Sequence, residues 1–252
     1  MTHAARAFAS LGMYPFDEVR PAFDRLWAHV HRRCPWTPEL LDWDVDVHAS
    51  WTSPDLVVGW TCGWPLVTRL HDSVRVVGAF APDTPQGVGA TYRSVLVARD
   101  AAPPVAFRGA VAAVNGDDSL SGWVSLITAV EGVGGAWTGA VRFTGAHVES
   151  LRLVREGAAD VASIDSTTFA IVHRHRPELL DGVVVVGEGP QVPCLPVIAN
   201  ARTSDAHLAE LRDAFVAAVA EAPDDAAAVF VRSFEPLDLA DYTPLLALAP
   251  TG

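Results

Sequence analysis

Short β-rich runs alternate with amphipathic helical runs along the whole chain, and the turns that join strand to helix concentrate its polar and aromatic residues. This alternation predicts an α/β protein, with mostly parallel sheets covered on both faces by helices. Strands are expected at Arg6–Met13, Asp55–Trp60, Val74–Phe80, Arg93–Arg99, Ala110–Val114, Ala140–Phe143, Asp160–Ile164, Val183–Val186 and Leu195–Asn200. Helices are expected at Pro15–Arg33, where Phe16, Val19, Phe23, Leu26 and Val30 share a face and Pro15 suits the first position, and at Pro65–Leu70. Further helices are expected from near Gly122, at His147–Glu156, at Thr168–Arg176 and at Asp205–Glu221.

No internal repeat and no Pro/Gly-punctuated linker divides the 252 residues, so two interleaved lobes fit the length better than two sequential domains. We place the first lobe at 1–92 plus 201–252 and the second at 93–200, with crossing strands near Tyr92–Leu96 and Leu195–Asn200. The chain has eighteen Arg and no Lys, which excludes lysine Schiff-base chemistry, pyridoxal-phosphate attachment and a Walker-type phosphate loop. A net charge of −12 argues against nucleic acid, while a small anion would respond to local donors instead. Cys34, Cys62 and Cys194 are too few and too scattered for a zinc site or a disulfide framework. No apolar run is long enough for a membrane span, and Met1–Ser10 does not read as a leader. The sequence as it stands reads as cytoplasmic, or as extracytoplasmic if a leader has been removed.

Five turns carry the chemistry: Met13-Tyr14, Thr61–Trp64, Asn115–Gly122, Thr144–His147 and Asp165–Thr168. In open α/β sheets such turns border the ligand crevice, and the free amides of a helix start suit an oxyanion. Ser119 and Ser121 add hydroxyls, Gly122 permits close approach, and Tyr14 and Trp64 would wall a small pocket. Each residue also has a plainer reading. Ser119, Ser121 or Asp165 serves equally as a helix cap, His147 as a first-turn surface residue, and Tyr14 and Trp64 as core aromatics. The functional reading therefore rests on all five turns converging.

Asn115–Gly122 (Asn-x-x-x-Ser-x-Ser-Gly), Thr144–His147 (Thr-Gly-x-His), Ser150-Leu151 and the run from Glu156 to Asp165 together resemble one family, as do Thr61–Leu66 and Tyr92-Arg93-Ser94. It is the phosphonate/phosphite/phosphate substrate-binding family of ABC transporters (PhnD-like), with a type II periplasmic-binding-protein fold. The resemblance implies two lobes closing on a small anionic ligand in the cleft between them. It gives Ser119, Ser121, Gly122 and His147 to the anion, Trp64 and more loosely Tyr14 to the aromatic wall, and Asp165 to the ligand's other end. Thr61, Cys62, Tyr92 and Arg93 complete the expected binding set, Arg93 as an anion clamp. An ABC permease or a regulatory protein is the expected protein partner, and no cofactor is expected. Leu120 stands where relatives often carry a hydroxyl residue.

Two rival readings use the same scaffold. One is an enzyme built on Cys62, His147 and Asp165; the other is a cytoplasmic ligand sensor or accessory subunit. Asp42, Asp44, Asp46 and His48 alternate as on one strand face, but Val47 and Ser53 fall where a calcium loop needs Gly and Glu. His173 and His175, flanked by Arg174 and Arg176, read as partners of a helix C-terminal dipole.

Overall fold

The computed structural model describes residues 7–251, so Arg6 and most of the Met1–Ser10 segment lie outside the described residues. The fold divides into two compact units, 1–83 with 194–243 and 84–193 with 244–252. These divisions fall earlier in the chain than Tyr92 and Asn200, and the last residues join the second unit. Thr251 anchors them there, bonding the Gly134 and Gly135 carbonyls through its hydroxyl and amide.

The first unit holds a five-stranded sheet in the order Phe8–Ala9, Leu56–Trp60, Pro196–Asn200, Val74–Pro82 and Val231–Glu235. Phe8–Ala9 runs parallel to Leu56–Trp60, but Pro196–Asn200 is antiparallel to both of its neighbours, and Val231–Glu235 is antiparallel to Val74–Pro82. The sheet is therefore mixed where the alternation predicted mostly parallel. A strand arriving late in the chain separates two strands that would otherwise be a simple crossover pair.

Helix Arg20–Arg33 packs beside Asp205–Glu221 in this unit. The first begins five residues after Pro15; Pro21 occupies its first turn, where a missing N–H costs nothing. Between helices and sheet, Phe23, Trp60, Phe80, Phe215 and Phe234 form a chain of ring contacts. Phe80 stands edge-on to Trp60, Phe215 and Phe234 at 5.1, 5.7 and 5.2 Å. The indole N–H groups of Trp60, Trp51 and Trp27 reach the carbonyls of Leu195, Trp60 and Pro38, so these rings are buried without orphaned donors.

A register shift opposite Val197-Ile198 leaves Val77 out of the strand pairing. Arg212 fills the gap: its Nε donates to Val77 O at 3.0 Å and its guanidinium also reaches Val76 O and Leu237 O at 3.1 Å each. Asp42, Asp44, Asp46 and His48 do not form the expected strand face. Asp46 instead caps the short helix Val47–Ser50 by accepting from Ala49 N, and among the described residues no cluster of metal-ligating side chains occurs.

The second unit's sheet runs Val184–Glu188, Val95–Ala98, Val161–Ile164, Ala112–Val114 and Val141–Phe143. The last three strands are mutually parallel, whereas Val95–Ala98 opposes Val161–Ile164 and Val184–Glu188 opposes Val95–Ala98. Leu96, Ala112, Val114, Leu126, Val130 and Val161 form a core between this sheet and helix Ser125–Glu131. Helices His147–Arg155 and Ser166–His175 follow their strands as expected. No helix among the described residues is long and apolar enough to cross a membrane.

Two substitutions test this packing. Phe80→Ala should cost about 3–5 kcal/mol, read from the denaturation midpoint, because it empties the centre of the aromatic chain. Arg212→Met keeps the aliphatic stem but leaves three carbonyls without their donor; a loss of roughly 1–3 kcal/mol is expected in the same measurement.

Candidate functional site

Parallel pairing brings the second unit's polar turns to one sheet edge. Val114 lies opposite Phe143 and Ala113 opposite Ala162, so the turns after all three strands leave the sheet on the same side. Val95 pairs with Ile164 in the opposite direction, which puts Ser94, at the start of its strand, on that edge too.

The turn after Ala112–Val114 opens a continuous helical run whose first five residues, Leu120–Val124, form a π-turn before α-helix Ser125–Glu131 begins. Ser119 caps it: its Oγ accepts from Gly122 N at 2.9 Å, and its carbonyl accepts from both Trp123 N and Val124 N. A Cβ at position 122 would lie 1.8 Å from Asn115 Oδ1, so a side chain there would displace that amide. Ser163, inside the fully buried strand Val161–Ile164, donates to Ser121 O at 2.6 Å. One turn is thus fixed from three directions.

His147 starts its helix after Gly145, whose positive φ of 79° permits the sharp turn. Its Nε2 lies 2.9 Å from Ser121 Oγ, which in turn lies 3.4 Å from Ser119 Oγ. Nδ1 is enclosed and makes no hydrogen bond of acceptable geometry among the described residues. Burial of the ring lowers the imidazole pKa to about 4, with the Ser163 backbone pulling the other way. At neutral pH the Ser119–Ser121–His147 chain is therefore uncharged. Thr144 Oγ1 and Ser150 Oγ, 2.8 Å apart, tie the His147 turn to its own helix.

Asp165 follows the plainer of its two readings. Its Oδ1 accepts from Thr167 N and Thr168 N at 2.9 and 3.0 Å, so the carboxylate occupies the start of helix Ser166–His175. Arg93 is likewise engaged. It donates to Gly189 O at 3.1 Å and to Gln191 Oε1 at 3.4 Å, and lies 3.9 Å from Glu188. Tyr92 is buried in a three-stranded ribbon with Gly87–Val88 and Val192–Pro193.

In the first unit, the parallel pair Phe8–Ala9 and Leu56–Trp60 sends Ser10–Tyr14 and Thr61–Trp64 off a common edge. Tyr14 is buried edge-on against Trp60 at 5.0 Å, as a core aromatic would be. Thr61 is fully buried and its amide bonds Pro196 O; Cys62 is a buried thiol ahead of the Gly63–Pro65 turn. Trp64 keeps part of its surface exposed. The structure thus brings Ser119, Ser121, Gly122 and His147 into direct contact or adjacent positions, and gives Asp165 and Arg93 structural partners.

Two contributors escaped the sequence reading. Ser163 lies within the run from Glu156 to Asp165, where one hydroxyl in an otherwise apolar strand was its only signal. Asn115 opens a quoted motif, but nothing in the sequence shows its amide pressed against Gly122.

Burial of His147 has a measurable consequence. Between about pH 4 and 6.5 the unfolded chain binds the extra proton, so this residue's contribution is full above that window and is lost as pH falls through it. His147→Gln should flatten the stability profile there, in denaturant titrations of both proteins across the window.

Residues 55–242, about three-quarters of the chain, match the family model described as "ABC transporter, phosphonate, periplasmic substrate-binding protein". A comparison with curated protein sequences finds no match. Among solved structures, PhnD1 of Prochlorococcus marinus in complex with methylphosphonate superposes with a TM-score of 0.68 at 13% identity, over 96% of this chain and 97% of that one. A binding-protein component of a Pseudomonas aeruginosa ABC phosphonate transporter gives 0.71 at 15% identity, over 96% and 85%. A Xanthomonas citri protein bound to ATP gives 0.64 at 15% identity, over 96% and 95%. These likenesses show the periplasmic-binding-protein fold, and the family match shows that this chain belongs to the phosphonate substrate-binding family of ABC transporters.

Proposed function

We propose that the protein captures a small phosphonate- or phosphate-like oxyanion reversibly and hands it to an ABC permease. The observation that carries this reading is the Ser119–Ser121–His147 chain, with its 2.9 Å Ser121–His147 bond, at the start of a helical run. Hydroxyls and an imidazole hold oxygens without making or breaking bonds, and the start of a helical run adds its dipole, although the Gly122, Trp123 and Val124 amides are already bonded to Ser119. The glycine at 122 leaves room for the Asn115 amide against the helix start, which a larger residue would displace.

Closure of the first unit over the same ligand, with the partly exposed Trp64 as a wall, belongs to this proposal, as does an extracytoplasmic location in keeping with the family's periplasmic description. The rival enzyme is less well supported. Its proposed base already bonds Ser121, and its proposed orienting carboxylate spends Oδ1 on two amides.

Methylphosphonate, phosphite and phosphate should each be tested for thermal stabilisation and by titration calorimetry. Ser121→Ala should weaken binding of whichever anion is captured by about 1–3 kcal/mol, roughly five- to 150-fold in affinity, and should also lower the Tm of the free protein, because the buried His147 Nε2 loses its partner. Absence of binding by every oxyanion would overturn the proposal.

A further inference from the structure

We infer that the site selects the singly charged, still protonated form of its oxyanion over the doubly charged form. This rests on the anion-capture reading above and concerns the charge state of the ligand that the reading assigns.

The side chains that form the cradle are neutral. Ser119 and Ser121 carry no charge, and the imidazole of His147, its Nδ1 enclosed, stays unprotonated at neutral pH. The charged groups on the neighbouring elements are mixed in sign, and Arg93, Arg142 and Arg152 among them are paired or exposed. Asp117 and Asp118 sit on the loop that leads into the π-turn, and Asp165 ends the neighbouring strand as a buried carboxylate. On the His147 helix, Glu149 is paired with Arg152 at 2.8 Å. Arg142 is exposed in the preceding strand. Arg93, at the same sheet edge, spends its donors on Gly189 O and Gln191.

A first negative charge can be held by amide and hydroxyl dipoles. A second would be desolvated against three neutral side chains, with no opposite charge among them to offset it. The protonated form also brings a P–O–H group, which needs an acceptor. Ser121 Oγ supplies one: whichever tautomer His147 adopts, the hydroxyl oxygen keeps a lone pair after bonding Nε2.

Calorimetric titrations of the intact protein with methylphosphonate, phosphite and phosphate, run from mildly acidic to mildly alkaline pH, test this. The three ligands differ in their second ionisation. For each that binds, affinity should be flat below that ligand's own second pKa and fall about tenfold per pH unit above it, with breakpoints that move from ligand to ligand. Sulfate, a permanent dianion, should compete poorly at any pH. Affinity that holds or rises through the second ionisation, a breakpoint common to all ligands, or tight sulfate binding would overturn the inference while leaving anion capture intact. If none of the anions binds at any pH, capture itself fails and the inference falls with it.

Discussion

The contact between Gly122 and the Asn115 amide is the constraint on which the second unit's site depends. Because 122 carries no Cβ, the Asn115 amide packs against the helical run where it begins after strand Ala112–Val114. That proximity lets Ser119 cap the turn and lets Ser163 reach the Ser121 carbonyl from the adjacent strand. The Ser121 hydroxyl is then left to meet His147. A larger residue at 122 would displace the Asn115 amide that lies against this turn, which is why the site is better understood as a packed turn than as a collection of donors.

The irregular winding of that turn is part of the same constraint. A π-turn over Leu120–Val124 widens the first coil, so that both Trp123 N and Val124 N converge on the Ser119 carbonyl. Within helix Ser166–His175, by contrast, the corresponding opening amides are taken by the Asp165 carboxylate. Two helix starts at one sheet edge thus have opposite character. One is closed by an internal negative charge, and the other is capped by a neutral hydroxyl.

Much of this was legible in the sequence, for identifiable reasons. Helix Asp205–Glu221 was read to the residue because Leu208, Leu211, Phe215 and Val219 repeat at helical spacing and Ser204 caps its start. The Ser119–Gly122 and His147 turns were visible because polar residues interrupt an otherwise apolar strand-to-helix rhythm. Strand direction was not legible: hydrophobic alternation looks the same in both senses, so the reversed strands Val95–Ala98 and Pro196–Asn200 were read as ordinary members of parallel sheets. The engagement of Arg93 by Gly189 was hidden for a related reason, since its partner lies far along the chain. Nor can five residues distinguish a π-turn from the first turn of an α-helix.

The reversed strand Pro196–Asn200 has a consequence for biogenesis. It lies between Leu56–Trp60 and Val74–Pro82, so these two strands have no direct pairing with each other. While the nascent chain emerges from the ribosome, their facing edges wait for a segment made more than a hundred residues later. All five strands of the other sheet, from Val95 to Glu188, are synthesised before that segment appears. The portion in the middle of the gene can therefore complete its sheet first, while the portion that begins the chain is among the last to close.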